Sequence, residues 1–156
     1  MNGKVVGLFI AATALIGGIG MYVLQVYVFF DEVPAEDVTL RMTSVATGQP
    51  EPIQVDDVQA IDGTSSPLKF RACFTTPHDH AMLTETYVVL DKPVPLTAPD
   101  WFDCFDADAI GAALQAEQAI AYMGEAEIKD GVDRVIAVFD DGRGFAWHQL
   151  NEKYAD

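Results

Sequence analysis

The first 30 residues constrain this chain more tightly than the 126 that follow. From Val5 to Phe30 there is no charged side chain, an apolar run of 26 residues. About 20 helical residues suffice to cross the hydrocarbon core of a bilayer. A helix buried in a soluble domain would keep a polar stripe, and this run has none. A secretory signal needs a basic head, an apolar stretch of about 7–15 residues and a small-x-small cleavage site. Met1 to Lys4 would serve as the head, but cleavage at Ala12-Thr13-Ala14 would leave only seven apolar residues before it. No comparable site follows Phe30, where the chain reads Asp31-Glu32-Val33-Pro34. Retention as a single-pass membrane helix is therefore the expectation.

Charge sets the orientation. Lys4 precedes the run, whereas Asp31, Glu32, Glu36 and Asp37 follow it before the next base, Arg41. Basic flanks stay in the cytoplasm, so the N-terminus is expected inside and the remainder across the membrane. Tyr22, Tyr27, Phe29 and Phe30 crowd the outer end, where aromatic rings suit the headgroup boundary. The expected location is a bacterial inner membrane with the C-terminal domain in the periplasm. Gly7, Ala11, Ala14 and Gly18 share one helical face, which would let the backbone of an integral membrane partner approach closely. Small residues are also common in membrane helices generally, and Gln25 near the outer end would bond either a partner or interfacial water.

Residues 31–156 hold all 24 acids and eight of the nine bases, a formal charge of −16. Such a surface repels nucleic acid and anionic headgroups, so no nucleic-acid partner is expected. Solubility explains the charge, and so would docking of a basic periplasmic protein such as a cationic electron carrier. Cys73 and Cys104 are the only cysteines. An even pair on the oxidising side of a membrane favours a disulfide over metal binding or thiol chemistry. There is no Cys-x-x-Cys motif for redox exchange or haem attachment.

The remaining chain is long enough for one domain with a real core. The expected organisation is a tip and membrane helix at 1–30, a solvated stalk at 31–37 and one α+β domain at 38–156, an antiparallel sheet with one main helix. Strands are expected where apolar residues alternate: Val38 to Thr43, a short one near Ile53 to Val55, Leu68 to Thr75 and Thr84 to Leu90. In the third, Phe70, Ala72 and Phe74 face one way and Arg71 and Cys73 the other. Thr76 to Leu83 reads as a loop, and Pro93, Pro95 and Pro99 force an extended connection. Asp106 to Gln118 is the main helix, with Asp106 as N-cap. A strand over Ala119 to Ile128 precedes the Asp130-Gly131 turn. Val132 to Phe139 and Gly144 to Leu150 then form a hairpin around Asp140-Asp141-Gly142-Arg143.

Little of this carries recognisable chemistry. His78, His80 and Met82 on one loop form the densest set of metal-ligating side chains, suited to copper or zinc. Asp100, Asp103, Asp106 and Asp108 would attract a hard cation, but their spacing lacks the alternating pattern and central glycine of a calcium loop. Glu125 and Glu127 alternate on one strand face and would make a carboxylate pair or simply a solvated face. His148 has no serine or cysteine partner recognisable in sequence. There is no Gly-x-Ser-x-Gly elbow, Walker loop or dinucleotide fingerprint, so neither catalysis nor a cofactor is expected.

Six stretches carry a family resemblance. They are Met1-Asn2-Gly3-Lys4 with Leu24-Gln25-Val26-Tyr27, Arg71-Ala72-Cys73-Phe74, Ala98-Pro99-Asp100-Trp101-Phe102-Asp103-Cys104-Phe105, Gly131-Val132-Asp133-Arg134, and Trp147-His148-Gln149-Leu150-Asn151. Together they resemble an uncharacterised family of single-pass inner-membrane proteins from alphaproteobacteria. The resemblance implies a location and no activity. Some relatives carry a histidine-kinase label, which this sequence contradicts: it lacks the phospho-acceptor hairpin and the ATP-binding boxes. The functional expectation is a membrane-anchored protein-binding domain, an accessory or assembly subunit of an inner-membrane complex, with a respiratory or electron-transfer complex foremost. The alternative is a periplasmic metal factor using the His78-His80-Met82 loop.

Overall fold

A computed structural model describes residues 2–155. The opening run forms α1 (Gly3–Val23), continued by a π-helical turn over Leu24–Val28. The helical stretch Gly3–Val28 is long and apolar enough to cross a membrane, and none of its residues is buried. The Thr13 hydroxyl donates to Phe9 O at 2.8 Å, so this polar group is satisfied within the helix.

No stalk follows. Asp31–Val33 is β1, an edge strand that pairs with β4 (Asp56–Asp62), and Ala35–Asp37 is a 3₁₀ turn. The expected solvated linker at 31–37 is thus sheet from its first residue, because Asp31 lies opposite Asp62 and Val33 opposite Ala60. The other elements are β2 (Arg41–Thr43), β3 (Pro50–Pro52), β5 (Arg71–Thr75), α2 (His80–Thr86), α3 (Ala107–Gln115), β6 (Ala119–Lys129), β7 (Val132–Phe139) and β8 (Arg143–Leu150). Six strands form one antiparallel sheet in the order β1-β4-β5-β8-β7-β6, and β2 pairs with β3 in a separate hairpin. The fold is α+β.

Both faces of the sheet are covered, which is why β7 reads as an almost continuous apolar run. On one face Phe70, Ala72, Phe74, Ile136, Val138 and Ala146 pack under Leu40 and Met42 of the hairpin and Leu83 of α2. On the other, Cys73, Val135, Ala137, Phe145 and Trp147 pack under Ile110 of α3 and the aromatic rings Phe102 and Phe105. Burying a Leu, Val or Phe side chain contributes about 1.5–3 kcal/mol each, so this double interface dominates stability. The tight β7–β8 turn needs Gly142 at φ 85°, as its Asp-Gly sequence signals.

Two sequence expectations change here. The second half of the expected Thr76–Leu83 loop and the start of the Thr84–Leu90 strand become α2, because Asp79 caps it by accepting Met82 N at 2.8 Å and Leu83 is fully buried. Only Tyr87 to Leu90 stays extended. Val88 N reaches Thr43 O, Met123 N reaches Val88 O, and Leu90 N reaches Ala121 O, so this segment stitches β2 to the β6 edge. The strand expected near Ile53 lies instead at Pro50–Pro52, with Ile53 buried in the core. Prolines on this hairpin discourage pairing with another chain.

Cys73 on β5 is bonded to Cys104, with Cα atoms 6.4 Å apart. The bridge joins the sheet to residues 91–106, which have no regular structure. In the chain-entropy model a loop of this size contributes about 3–4 kcal/mol. Reducing the bond, or substituting Cys104→Ser, should lower the denaturation free energy by roughly that amount in equilibrium urea melts. Unchanged midpoints would contradict a structural role.

Candidate functional site

Three arrangements of polar groups sit on this frame. The first is buried at β7 and β8. His148 is almost fully buried and stacks on Phe70 with ring centroids 4.9 Å apart. Its Nδ1–H donates to Pro67 O at 2.7 Å, and its Nε2 accepts from Arg134 Nε at 3.1 Å. Arg134 lies 4.1 Å from the centroid of the Phe70 ring, and its Nη1 reaches Glu125 at 3.4 Å. Glu125 also faces Arg41 at 3.8 Å. Burial first, and then the Arg134 and Arg71 charges, push the His148 pKa down to about 4 against the opposing Pro67 bond. The imidazole is therefore neutral, and both its nitrogens are committed.

The second arrangement holds the irregular segment 91–106 on the sheet. Arg71 is buried on β5 and meets no carboxylate in its bonds. Its guanidinium donates to four carbonyls: Leu96 at 2.9 Å, Thr97 at 3.0 Å, Leu68 at 2.6 Å and Phe70 at 2.7 Å. Burial lowers its pKa to about 10, partly offset by Asp62, so the charge persists at neutral pH. Gln149 takes Val94 N at 2.8 Å and Trp147 Nε1 at 3.1 Å, and gives its own NH₂ to Lys92 O at 3.0 Å. Buried backbone groups without a ladder need such partners. At the tip of the segment, Trp101 Nε1 donates to Val26 O at 2.7 Å, a carbonyl of the π-helical turn. Nearby, Lys69 Nζ donates to Phe29 O at 3.2 Å and lies over the Phe30 ring at 4.2 Å. Gly63 presses so closely on Phe29 O that a side chain there would collide.

The third is an open groove of about 770 Å³ between residues 89–94 and the C-terminal tail. Val89, Val94, Met123 and Leu150 give it an apolar lining, with Lys92 and Glu152 at its sides. Its polar floor is spent internally. Asn151 Nδ2 donates to Glu127 Oε1 at 2.6 Å and to Asp133 Oδ1 at 3.1 Å, while Gly131 N reaches Glu127 Oε2 at 3.0 Å. The Gly131 and Asn151 bonds hold the Glu127 carboxyl below its usual range. Lys153 and Tyr154 both bond Asp130 and tie the tail to the β6–β7 turn.

The residues expected to ligate a metal are drawn into other work. His80 Nε2 bonds Val138 O at 2.8 Å and its Nδ1 faces Asp140 at 2.9 Å. The Met82 sulfur accepts from Thr86 Oγ1 at 3.6 Å, and His78 is half-buried on the approach to α2. Among the described residues, no group of three or more His, Cys, Asp or Glu side chains is placed to hold a metal ion. Glu125 and Glu127 do not form a pair. The strand is bulged there, with Glu127 at φ 50°, and the two carboxylates serve Arg134 and Asn151 separately. Of the four aspartates, Asp106 caps α3 through Ala109 N at 3.0 Å, and all four line a shallow cleft of about 250 Å³. Cys73 and Cys104 are brought together as a disulfide. Gly7, Ala11, Ala14 and Gly18 all lie exposed on α1, with no neighbour near either glycine.

Sequence reasoning missed Arg71, Arg134, Gln149, Lys69 and Trp101 as organising residues. Arg71 had a signal: it shares the inward strand face with Cys73, where a base has no reason to sit unless it is bonded.

The His148 shift makes stability depend on pH. The folded ring stays neutral down to about pH 4, whereas the unfolded chain takes up a proton below about 6.5. Its contribution, on the order of 3 kcal/mol, is present above pH 6.5 and is lost as pH falls through the folded pKa. Urea midpoints should therefore drop between pH 7 and 4.5 in the native chain and much less in His148→Gln. A flat native profile would contradict the buried neutral ring.

No curated protein and no solved structure matches the chain. A family model described as "Family of unknown function (DUF6446)" matches residues 40–156, taking in every strand of the sheet except β1 and both helices of the domain. The chain belongs to this family of unknown function.

Proposed function

We propose that the protein is a single-pass inner-membrane subunit whose periplasmic α+β domain binds other proteins. It would serve an envelope complex in an accessory or assembly role, in the alphaproteobacterial setting that the family resemblance implies. The observation that carries this reading is the helix Gly3–Val28, without a charge from Val5 onward and unburied by the rest of the chain. So much apolar surface needs lipid or another helix around it. Lys4 in the first turn of the helix, ahead of the apolar run, and Asp31 and Glu32 after it favour an N-terminus in the cytoplasm. The stripe Gly7, Ala11, Ala14 and Gly18 offers a close-packing face to an integral membrane partner. The domain's −16 charge favours a basic partner on the far side, as respiratory and electron-transfer complexes use.

The buried groups support a binding role over a catalytic one. His148, Arg134, Arg71 and Gln149 bond to each other, to backbone, or to Glu125 and Trp147, and they shape a surface without presenting a reactive atom. Zinc or copper chemistry at His78, His80 and Met82 would first have to break the His80 bonds to Val138 O and Asp140.

Crosslinked membranes extracted in mild detergent should yield the chain in one defined larger complex. Gly18→Ile should shift it toward the free chain, whereas an isosteric change on the opposite helical face, Ile16→Leu, should not. Recovery of the free chain alone from native membranes would overturn the proposal.

A further inference from the structure

The proposed span leaves open how the domain sits against the bilayer, and the helix exit answers it. We infer that the tip of segment 91–106, centred on Trp101, is a second membrane-contact surface that lies in the headgroup layer beside the helix. This inference rests on Gly3–Val28 being a retained span. A carbonyl at the end of a helix has no partner within it. Val26 O gets one from the Trp101 indole at 2.7 Å, and Phe29 O gets one from Lys69 at 3.2 Å. Val26 lies inside the apolar run, two residues before the helical stretch ends. The depth of Val26 therefore fixes the depth of Trp101.

The domain cannot lift that indole away. β1 begins at Asp31, two residues after Phe29, and is already paired with β4. Gly63 on the opposite side abuts Phe29 O without room for a side chain. The segment carrying Trp101 is pinned to the sheet three residues later by Cys104 and upstream by Arg71 and Gln149. Indole combines an apolar body with one N–H donor, which suits the boundary between hydrocarbon and water. Asp100 and Asp103 flank it and are exposed, so zwitterionic headgroups suit the contact better than anionic ones. The docked partner is the bilayer itself, and the contact holds the domain in one orientation to the membrane.

Trp101 and Trp147 are the only tryptophans, and Trp147 is fully buried in the core, so it serves as an internal reference. The full chain is reconstituted in phosphatidylcholine nanodiscs carrying either a headgroup spin label or a mid-chain bromine. The headgroup probe should quench up to about half of the emission, the share of the one half-buried indole, and more than the mid-chain probe does. In Trp101→Phe this quenching should vanish while far-UV circular dichroism and the Trp147 emission stay native. A chain that stays in the disc yet shows equal quenching in native and Trp101→Phe forms overturns the contact alone. A chain that does not co-elute with discs overturns the span, and the contact with it.

Discussion

The β5–β8–β7 core is covered on both faces, yet the cover on one face has no ladder of its own. Segment 91–106 lies over Cys73, Phe145 and Trp147 without regular structure, so its backbone groups would be left unpaired if the sheet did not reach out to them. Arg71 and Gln149 do this from neighbouring strands, and the Cys73–Cys104 disulfide ties the segment covalently beside them. A buried guanidinium is penalised by desolvation, and only its four carbonyl partners make it tolerable. The three anchors hold one segment in place, and with it the Phe102 and Phe105 rings seal the core.

The same segment sets the geometry of the helix exit. Its tip gives a donor to Val26 O, Lys69 gives another to Phe29 O, and β1 starts where a flexible linker would be expected. Rigid coupling follows. A domain attached by a loose tether would sample many orientations, whereas this one is packed against the end of its own helix. For a protein proposed to assemble with membrane partners, fixed orientation lowers the entropic cost of each further contact.

Much of the fold was legible because its strongest signals are local. Val132 to Phe139 and the following strand have apolar density and an Asp-Gly turn, and they form the central hairpin at almost those limits. Asp106 capped the main helix as its residue type implies, and alternation put Cys73 on the face that Cys104 reaches. The misses were non-local or masked. β4 opens with Asp56-Asp57 and a bulge at φ 52°, so its alternation is broken where a reader would look for it. The acidic 31–37 segment reads as solvated, yet its pairing with β4 depends on contacts about 30 residues away. α2 was legible in hindsight, since Asp79 precedes Leu83 and Tyr87 at helical spacing and both are buried. The organising side chains were hidden for a different reason. Arg71 and Gln149 bond backbone atoms far along the chain, and no residue pattern marks a carbonyl that needs a donor.

The dependence of segment 91–106 on those anchors is most directly tested by hydrogen exchange of the full chain, native against Arg71→Lys. Lysine keeps the charge but cannot serve four carbonyls with a planar fork. Exchange should accelerate across 91–106 while residues 132–150 keep their native protection. Native rates throughout the segment, or equal loss of protection in the central hairpin, would contradict the account.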